Sequence, residues 1–274
     1  MPARPPVLTV AWYLAGVALA LLAVGPAVWL LLIAMQPPGR DMHSLSGAMG
    51  GLTTRNFEAA WTDGELGRPL LNSVVVCVVR VGLNVLLASL AAYPLARMKF
   101  RGRDTIFVLL LATLMIPEQV IVVPMFRTVV AMGLYDSLVA VILPFSVTAF
   151  GIYLCRQAFM AIPAEMEEAA RVDGAGSLRI WWSVMLPLSR PTLATLALFS
   201  LIGAWSELLW PLIVLQRQEN MTLPVAVNLL MGQFSTNLRA AYAGAVLALV
   251  PVLVVFFVSQ RFLKSEIFAG AVKG

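Results

Sequence analysis

Residues 163–191 read PAEMEEAARVDGAGSLRIWWSVMLPLSRP. Pro163 opens the segment, and the acidic residues that follow it suit the positive end of a helix dipole. Gly174 and Gly176 interrupt this helical pattern, and an apolar stretch with two tryptophans then resumes until prolines stop it. The segment therefore predicts a helix, a tight turn and a second helix.

Apolar stretches fill most of the remaining chain. Hydrophobic residues make up 60% of the sequence and charged residues only 12%, a composition outside the range of soluble domains. A helix needs roughly 20 mostly apolar residues to cross a bilayer. Six stretches qualify, at about residues 7–35, 70–92, 106–126, 137–155, 191–215 and 240–260. We expect an all-α polytopic membrane protein, one domain over residues 1–274, with a helix-turn-helix loop at about 159–190 between the fourth and fifth spans.

The distribution of basic residues orients these spans, because Lys and Arg concentrate on the cytoplasmic side of inner-membrane proteins. One side would carry twelve of them: Arg4, Arg97, Lys99, Arg101, Arg103, Arg156, Arg171, Arg179, Arg190, Arg261, Lys264 and Lys273. The other side would carry six: Arg40, Arg55, Arg68, Arg127, Arg217 and Arg239. Both termini and the 159–190 loop are therefore predicted to be cytoplasmic. The net charge of +5 reflects this bias, and we expect no nucleic-acid partner.

Composition alone favours a helix lying on the membrane surface for the loop, but the order of its residues is more specific. The loop contains four motifs at defined spacing: Glu168-Ala169-Ala170, Asp173-Gly174-Ala175, Leu186-Pro187-Leu188 and Pro191. This pattern resembles the signature of the inner-membrane permeases of ATP-binding-cassette (ABC) importers. Trp181 departs from it, because the family usually has Phe there.

The resemblance extends to the carbohydrate-uptake, or maltose-type, branch of these permeases. It covers nearly the whole chain and rests on Asn72-Ser73, Tyr93-Pro94-Leu95-Ala96-Arg97, Met115-Ile116-Pro117, Trp205-Ser206-Glu207 and Leu209-Trp210-Pro211. It implies a bacterial cytoplasmic-membrane subunit that forms a solute path with a second permease. The implied partners are that permease, two ATPase subunits that carry ATP and Mg, and an extracellular solute-binding protein. No cofactor is expected on this chain.

The resemblance also assigns roles to the loop. The loop would dock as a coupling helix into a cleft on the cytoplasmic ATPase, with Glu168, Ala169, Asp173 and Gly174 as the contact core. Ala170 and Ala175 would, with Ala169, let the partner approach the backbone. The acids and Arg171 could fix orientation at the rim of the contact.

Charges inside spans are candidates for the solute path, because an unpaired charge in hydrocarbon is unfavourable. Arg80, Glu118 and Glu207 are the ones in the predicted spans. Arg80 and Glu118 could instead pair with each other or with the second subunit, or Glu118 could be hydrated near the outer surface. Trp205 and Trp210 flank Glu207, and an indole face suits a sugar. Trp210, three residues after Glu207, is expected to share its helical face, whereas Trp205 is two residues away. Helix packing or an interfacial belt is the alternative for both tryptophans.

Other functional classes have less support. An intramembrane enzyme would need a nucleophile and base or a metal cluster, yet the only histidine is His43, in the first external loop. The sequence has no phosphate-binding Gly-Lys-Ser/Thr motif, and its two halves show no internal repeat typical of a stand-alone secondary transporter. Within the permease class, the solute could be a sugar or a related compound such as a glycerol-phosphate diester.

Overall fold

The computed structural model describes residues 6–39, 41, 51–233 and 238–271. His43, Arg4, Arg40 and Lys273 lie outside the described residues, as do the two chain ends. Within the described ranges the chain forms helices and turns and no β-strand. The helices are α1 (Pro6–Ala34), α2 (Arg55–Thr62), α3 (Gly67–Arg97), α4 (Arg103–Thr113), α5 (Glu118–Ala131), α6 (Leu138–Ile142), α7 (Ala149–Ala161), α8 (Ala164–Val172), α9 (Ser177–Leu188), α10 (Arg190–Ser206), α11 (Leu209–Val214), α12 (Leu223–Gln233) and α13 (Leu238–Ala271).

The chain divides into two compact units, which comprise residues 1–67 with 226–251 and residues 68–225 with 252–274. In the first unit, polar side chains bind the backbone where α1 ends. The Asn56 amide donates to the carbonyls of Ala34 and Gln36 at 2.8 and 2.9 Å, and Arg239 donates to the Gln36 side chain. Leu230 packs against Gly64, where a Cβ would come within 2.9 Å of it. This end of α1, where Ile33 and Ala34 are buried, is therefore fixed by hydrogen bonds as well as by packing.

Two described helices are long and apolar enough to cross a membrane unaided: Trp12–Ala34 and Gly67–Arg97. Three further pairs would each qualify as one bent span, which raises the number to five. The pairs are α4 with α5, bent by 100°, residues 138–145 with α7, bent by 44°, and α9 with α10, bent by 81°. The described residues thus contain two single helices of membrane length and three bent helix pairs.

Three predicted spans are interrupted, and the one at 137–155 loses its helix at residues 146–148. The stretch at 106–126 breaks before Pro117, which is extended and immediately precedes α5, because proline disfavours the helical conformation of the residue before it. The stretch at 191–215 breaks at Glu207, where α10 ends in an extended residue before α11 begins. The expectation of a continuous helix in each of these three spans was therefore wrong.

Helix α3 organises the second unit through polar side chains along its buried face. The Asn72 amide donates to the carbonyls of Glu219 and Met221 at 2.8 and 2.9 Å, and the Ser73 hydroxyl accepts from the Leu223 amide. Three turns further on, Asn84 Oδ1 accepts from the Thr148 amide at 3.0 Å. Each contact satisfies backbone groups at the start of another helix, which hydrocarbon would leave unpaired.

Two apolar clusters lie on either side of Asn84 along α3. The first joins the last turns of α3 to α7 and α9 and is centred on Ala88, Ala92, Phe159 and Met185. The second joins Val76 to α5, α6 and α11 and contains Trp210. Small residues at 88 and 92 allow the close helix contacts that are typical of membrane interiors.

We predict that Asn84→Ala lowers the free energy of unfolding by about 1–2 kcal/mol, because the part-buried Thr148 amide and Ser200 hydroxyl lose their partner. Reversible unfolding of the purified chain in mixed micelles would measure this. The matched control is Asn228→Ala, at an exposed helical position, which should change stability by less than about 0.5 kcal/mol. Equal losses in the two variants would contradict the role given to Asn84.

Candidate coupling surface and intramembrane charges

The predicted helix-turn-helix is present as α8, a turn at residues 173–176, and α9. Pro163 precedes α8 in an extended conformation, as expected of a residue at a helix start. Gly174 has φ +78°, a left-handed conformation that glycine adopts without strain. The turn is closed by the Ala175 amide, which donates to the Ala170 carbonyl at 2.9 Å. The glycine is thus required by the backbone, whatever else it contacts.

One face of α8 and the adjoining turn are exposed. We define this docking surface by its exposed residues: Glu165, Glu168, Ala169, Val172, Asp173 and Gly174. Positions 165, 168, 169 and 172 lie on one side of a helix. Val172 is 88% exposed, and Leu178 just after the turn is 70% exposed. The surface therefore presents small and apolar groups between acidic ones.

Two of the six predicted coupling residues are placed differently from the expectation. Ala170 and Ala175 are partly buried, and both pack against the cluster formed by α3, α7 and α9. They therefore pack the inner side of α8 against this cluster and do not belong to the surface that a partner could contact. The other four, Glu168, Ala169, Asp173 and Gly174, share the docking surface.

Glu167 is the residue in this segment that sequence reasoning missed. It was grouped with the acids at the rim, but its side chain is only 8% exposed. Its Oε1 accepts from the Tyr93 hydroxyl at 3.1 Å and from Arg171 at 2.7 Å. Arg97 Nε lies 3.6 Å from Oε2, which is ion-pair range but too long for a hydrogen bond. We call these four residues the Glu167 cluster.

Arg80, on α3, is a buried charge of the second unit. Its guanidinium stacks over the Phe145 ring at 4.1 Å from the centroid, a cation–π contact that compensates part of the lost hydration. Glu118 and Glu207 act on it electrostatically, but neither forms an ion pair with it among the described residues. Within that part of the chain its Nη1 has no hydrogen-bond partner. The considered Arg80–Glu118 contact is therefore not formed in this structure.

The two glutamates of the predicted spans both lie at helix breaks. Glu118 is exposed in the first turn of α5, where a helix N-terminus favours a negative charge. Glu207 follows the last residue of α10, and its Oε1 accepts from the Trp210 amide at 3.2 Å. Glu207 therefore caps α11, and the expectation that Glu207 and Trp210 share a face of one continuous helix was wrong.

The two tryptophans beside Glu207 differ in burial. Trp210 is 1% exposed, packs in the second apolar cluster, and donates its indole N–H to the Ala140 carbonyl at 2.9 Å. Trp205 is partly exposed on α10. In this conformation Trp210 serves helix packing, the alternative that the sequence left open.

Across the described residues, no group of three His, Cys, Asp or Glu side chains could hold a metal ion.

A second polar network joins the loop before α6 to the segment after α11. Asp136, at φ +56°, accepts from the amides of Gln216 and Arg217 at 2.9 and 3.1 Å and from the Arg217 guanidinium. Burial alone would raise the pKa of the Asp136 carboxyl, but these hydrogen bonds outweigh it and hold that pKa well below its usual range. The network fixes two loops to each other.

Residues 84–268 match the family described as "Binding-protein-dependent transport system inner membrane component". Because this match covers more than half of the chain, the chain belongs to that family. It is therefore a multi-pass inner-membrane permease subunit of an ABC importer and not an enzyme, as the loop signature predicted.

Relatives match over most of their length. The arabinooligosaccharides transport system permease protein AraQ of Halalkalibacterium halodurans is 34% identical over 260 residues, which are 93% of this chain and 93% of that protein. The diacetylchitobiose uptake system permease protein NgcG of Streptomyces coelicolor is 32% identical over 253 residues, 91% of this chain and 84% of that one.

A solved structure shares the fold. A chain in the crystal structure of a bacterial ABC transporter involved in the import of the acidic polysaccharide alginate matches with a TM-score of 0.82. The match covers 96% of this chain and 99% of that one, at 23% sequence identity. At this identity the likeness establishes the fold and leaves the solute open.

We predict that Asp136→Asn lowers stability by about 1–3 kcal/mol at pH 7, because hydrogen bonds to a charged acceptor are lost. The native carboxyl has a depressed pKa, so its contribution is present above the unfolded pKa of about 3.9 and declines as the pH falls below that value. The difference in the free energy of unfolding between the parent and Asp136→Asn should therefore become smaller as the pH falls. Unfolding from pH 7 down to pH about 3 would measure it.

Glu58→Gln, an exposed carboxyl of α2, is the control for Asp136→Asn and should stay within about 0.5 kcal/mol of the parent throughout. A difference between Asp136→Asn and the parent that is independent of pH would contradict the depressed pKa.

Proposed function

We propose that this chain forms, with a second permease, the membrane path of an ABC importer for a sugar or sugar-related solute, driven by ATP hydrolysis on separate subunits. The observation that carries the solute class is the pair of relatives above. Both match over more than four fifths of their length, and both are named for the uptake of oligosaccharides. The expected arrangement is a heterodimer of permeases with two ATPase subunits and an extracellular binding protein.

The composition of the docking surface supports its contact with the ATPase. A helix that lies on a membrane surface needs a broad apolar face and usually carries basic residues. The exposed face of α8 instead carries Glu165 and Glu168, and Asp173 follows it. The cytoplasmic leaflet is negatively charged and would repel these acids. Small and apolar residues between charges suit a protein cleft, so docking is the better interpretation.

Alternating access follows from this arrangement. Binding of ATP would close the two ATPase subunits and move the docking surface of each permease. The helix bundles would then exchange an inward-open for an outward-open state, because nucleotide binds the two states with different affinity. We further propose six transmembrane passages with both termini in the cytoplasm, on the basis of the basic-residue bias.

Helix breaks mark the proposed solute path. Irregular backbone at membrane depth is tolerated only where protein covers it or water reaches it. The break at Glu207 places a carboxylate and the neighbouring Trp205 beside such a backbone. We therefore retain Glu207 and Trp205 as candidate solute contacts. Trp210 would hold α11 in place, and Arg80 would balance the charge of the two glutamates.

Two alternatives remain for comparison. A phosphate-containing solute such as a glycerol-phosphate diester would use the same coupling machinery, and the candidate contacts do not distinguish it from a sugar. A stand-alone secondary transporter is also built from broken helices, which this chain has. Membership of a binding-protein-dependent family argues against it.

Purification of the complex from its native membrane tests the proposal. The proteins that accompany the chain should include an ATPase, a second permease and an extracellular binding protein. Calorimetric titration of that binding protein with oligosaccharides and with glycerol-phosphate diesters would then identify the solute class. Transport by the chain alone, without ATP, would contradict the proposal.

We predict that Gly174→Phe leaves membrane insertion intact but abolishes the solute-stimulated ATPase activity of the reconstituted complex, because an aromatic ring would occupy the docking surface. Gly133→Phe is the matched control. Gly133 also has positive φ, +70°, and open space around it, but it precedes the predicted fourth span on the opposite side of the membrane.

Because both glycine variants impose the same kind of backbone strain, only a partner contact at Gly174 separates their effects. Normal stimulation of ATP hydrolysis in Gly174→Phe, or equal loss in the two variants, would contradict docking at the turn.

A further inference from the structure

A buried carboxylate connects the docking helix α8 to the cytoplasmic end of α3. Glu167 projects from the side of α8 opposite the docking surface, and Tyr93 and Arg97 reach it from the last two turns of α3. The side chains of Glu167 and Arg97 are 8% and 12% exposed. Arg171, one turn along α8, binds the same oxygen that accepts from Tyr93. Two helices that are far apart in sequence thus share one ionic centre.

Arg97 extends this connection to α7. Its Nη2 donates to the Phe159 carbonyl at 2.6 Å and also to the Ile162 carbonyl. These carbonyls stand at the end of α7 and in the link that leads to α8. One guanidinium therefore holds the end of α3, the end of α7 and the entry to α8.

The contact between Glu167 and Arg97 restricts movement of α8 relative to α3 more strictly than apolar packing would. Side chains of a purely apolar interface can slide, because dispersion is not directional. Displacement of α8 from α3 would break the hydrogen bond from Tyr93 to Glu167 and separate the Glu167 carboxylate from Arg97, and the loss of a pairing between two buried charges is unfavourable. The underside of α8 adds the apolar contacts of Ala170 and Ala175. Small displacements of α8 are therefore expected to carry α3 along.

We propose that Glu167 is a positioning residue that fastens α8 to α3, so that motion imposed on the docking surface is delivered to the α3 membrane helix as a rigid-body movement. This inference rests on the proposed function, since it takes the ATPase as the source of the motion. The docking surface and the Glu167 cluster would then lie on opposite faces of α8. The docking surface would contact the ATPase, and the Glu167 cluster would transfer the motion of α8 to α3.

Glu167→Gln tests the proposal in the complete reconstituted complex. The variant keeps the side-chain volume but removes the charge that pairs with Arg97 and Arg171. The ATPase subunits should still co-purify, because the docking surface is unchanged, while solute transported per ATP hydrolysed should fall about fivefold or more. Glu58→Gln, an exposed carboxylate on α2 that belongs neither to the docking surface nor to the Glu167 cluster, should keep the parent ratio.

Tyr93→Phe provides a milder second variant in case Glu167→Gln does not fold. It removes only the hydroxyl that donates to Glu167, so a smaller decrease in the same ratio is expected. Parent-like ratios in both variants would overturn the proposal. Absence of an ATPase from the parent preparation would instead refute the proposed function, and the two failures are thereby distinguished.

A distance measurement separates transmission from simple stability. Spin labels at Ala164→Cys on α8 and Val78→Cys on α3, two exposed positions, would be introduced after replacement of the buried Cys77 and Cys155. The distance should stay narrow and unchanged between the nucleotide-free and ATP-bound complex, and should broaden in Glu167→Gln. Movement of α8 relative to α3 on ATP binding in the parent would overturn the proposal.

Discussion

Backbone hydrogen bonding at broken helices is the constraint on which the second structural unit depends. Hydrocarbon offers no partners for free N–H and C=O groups, yet the chain bends sharply at several helix ends. Helix α3 resolves this with short polar side chains. Asn72 and Ser73 bind the segment that leads into α12, and Asn84 binds the amide of Thr148 at the start of α7. Because side chains of the continuous helix α3 bind these backbone groups, the neighbouring helices can be broken.

The same helix connects this scaffold to the segment formed by α8, the turn and α9. Its last two turns supply Tyr93 and Arg97, and these meet Glu167 of α8. The docking surface is therefore supported on its inner side by charge pairing and on its outer side is open to a partner. A surface held in this way is preformed, so that little conformational entropy need be lost when a partner binds. Family membership then gives this arrangement a transport role.

Much of this could be predicted from sequence, and the parts that could not share a physical cause. Gly174 and the flanking prolines specify a turn and helix ends through backbone geometry alone, so the helix-turn-helix was predictable. The inward position of Glu167 was not, because an acid in a first helical turn is ordinarily solvated; the i,i+4 spacing of Tyr93 with Arg97, and of Glu167 with Arg171, was the available signal. A hydropathy profile likewise does not reveal the break between α4 and α5 at Pro117 or the break between α10 and α11 at Glu207.

Site-specific photocrosslinking in the native complex tests the central claim most directly, namely that the exposed face of α8 contacts an ATPase. A photoreactive amino acid would replace Val172, the most exposed large side chain of that face, and separately Met132, beside Gly133 on the opposite predicted side. The account predicts a crosslink from position 172 to the ATPase subunit and none from position 132. A crosslink from position 172 to lipid alone, or to an extracellular protein, would contradict it.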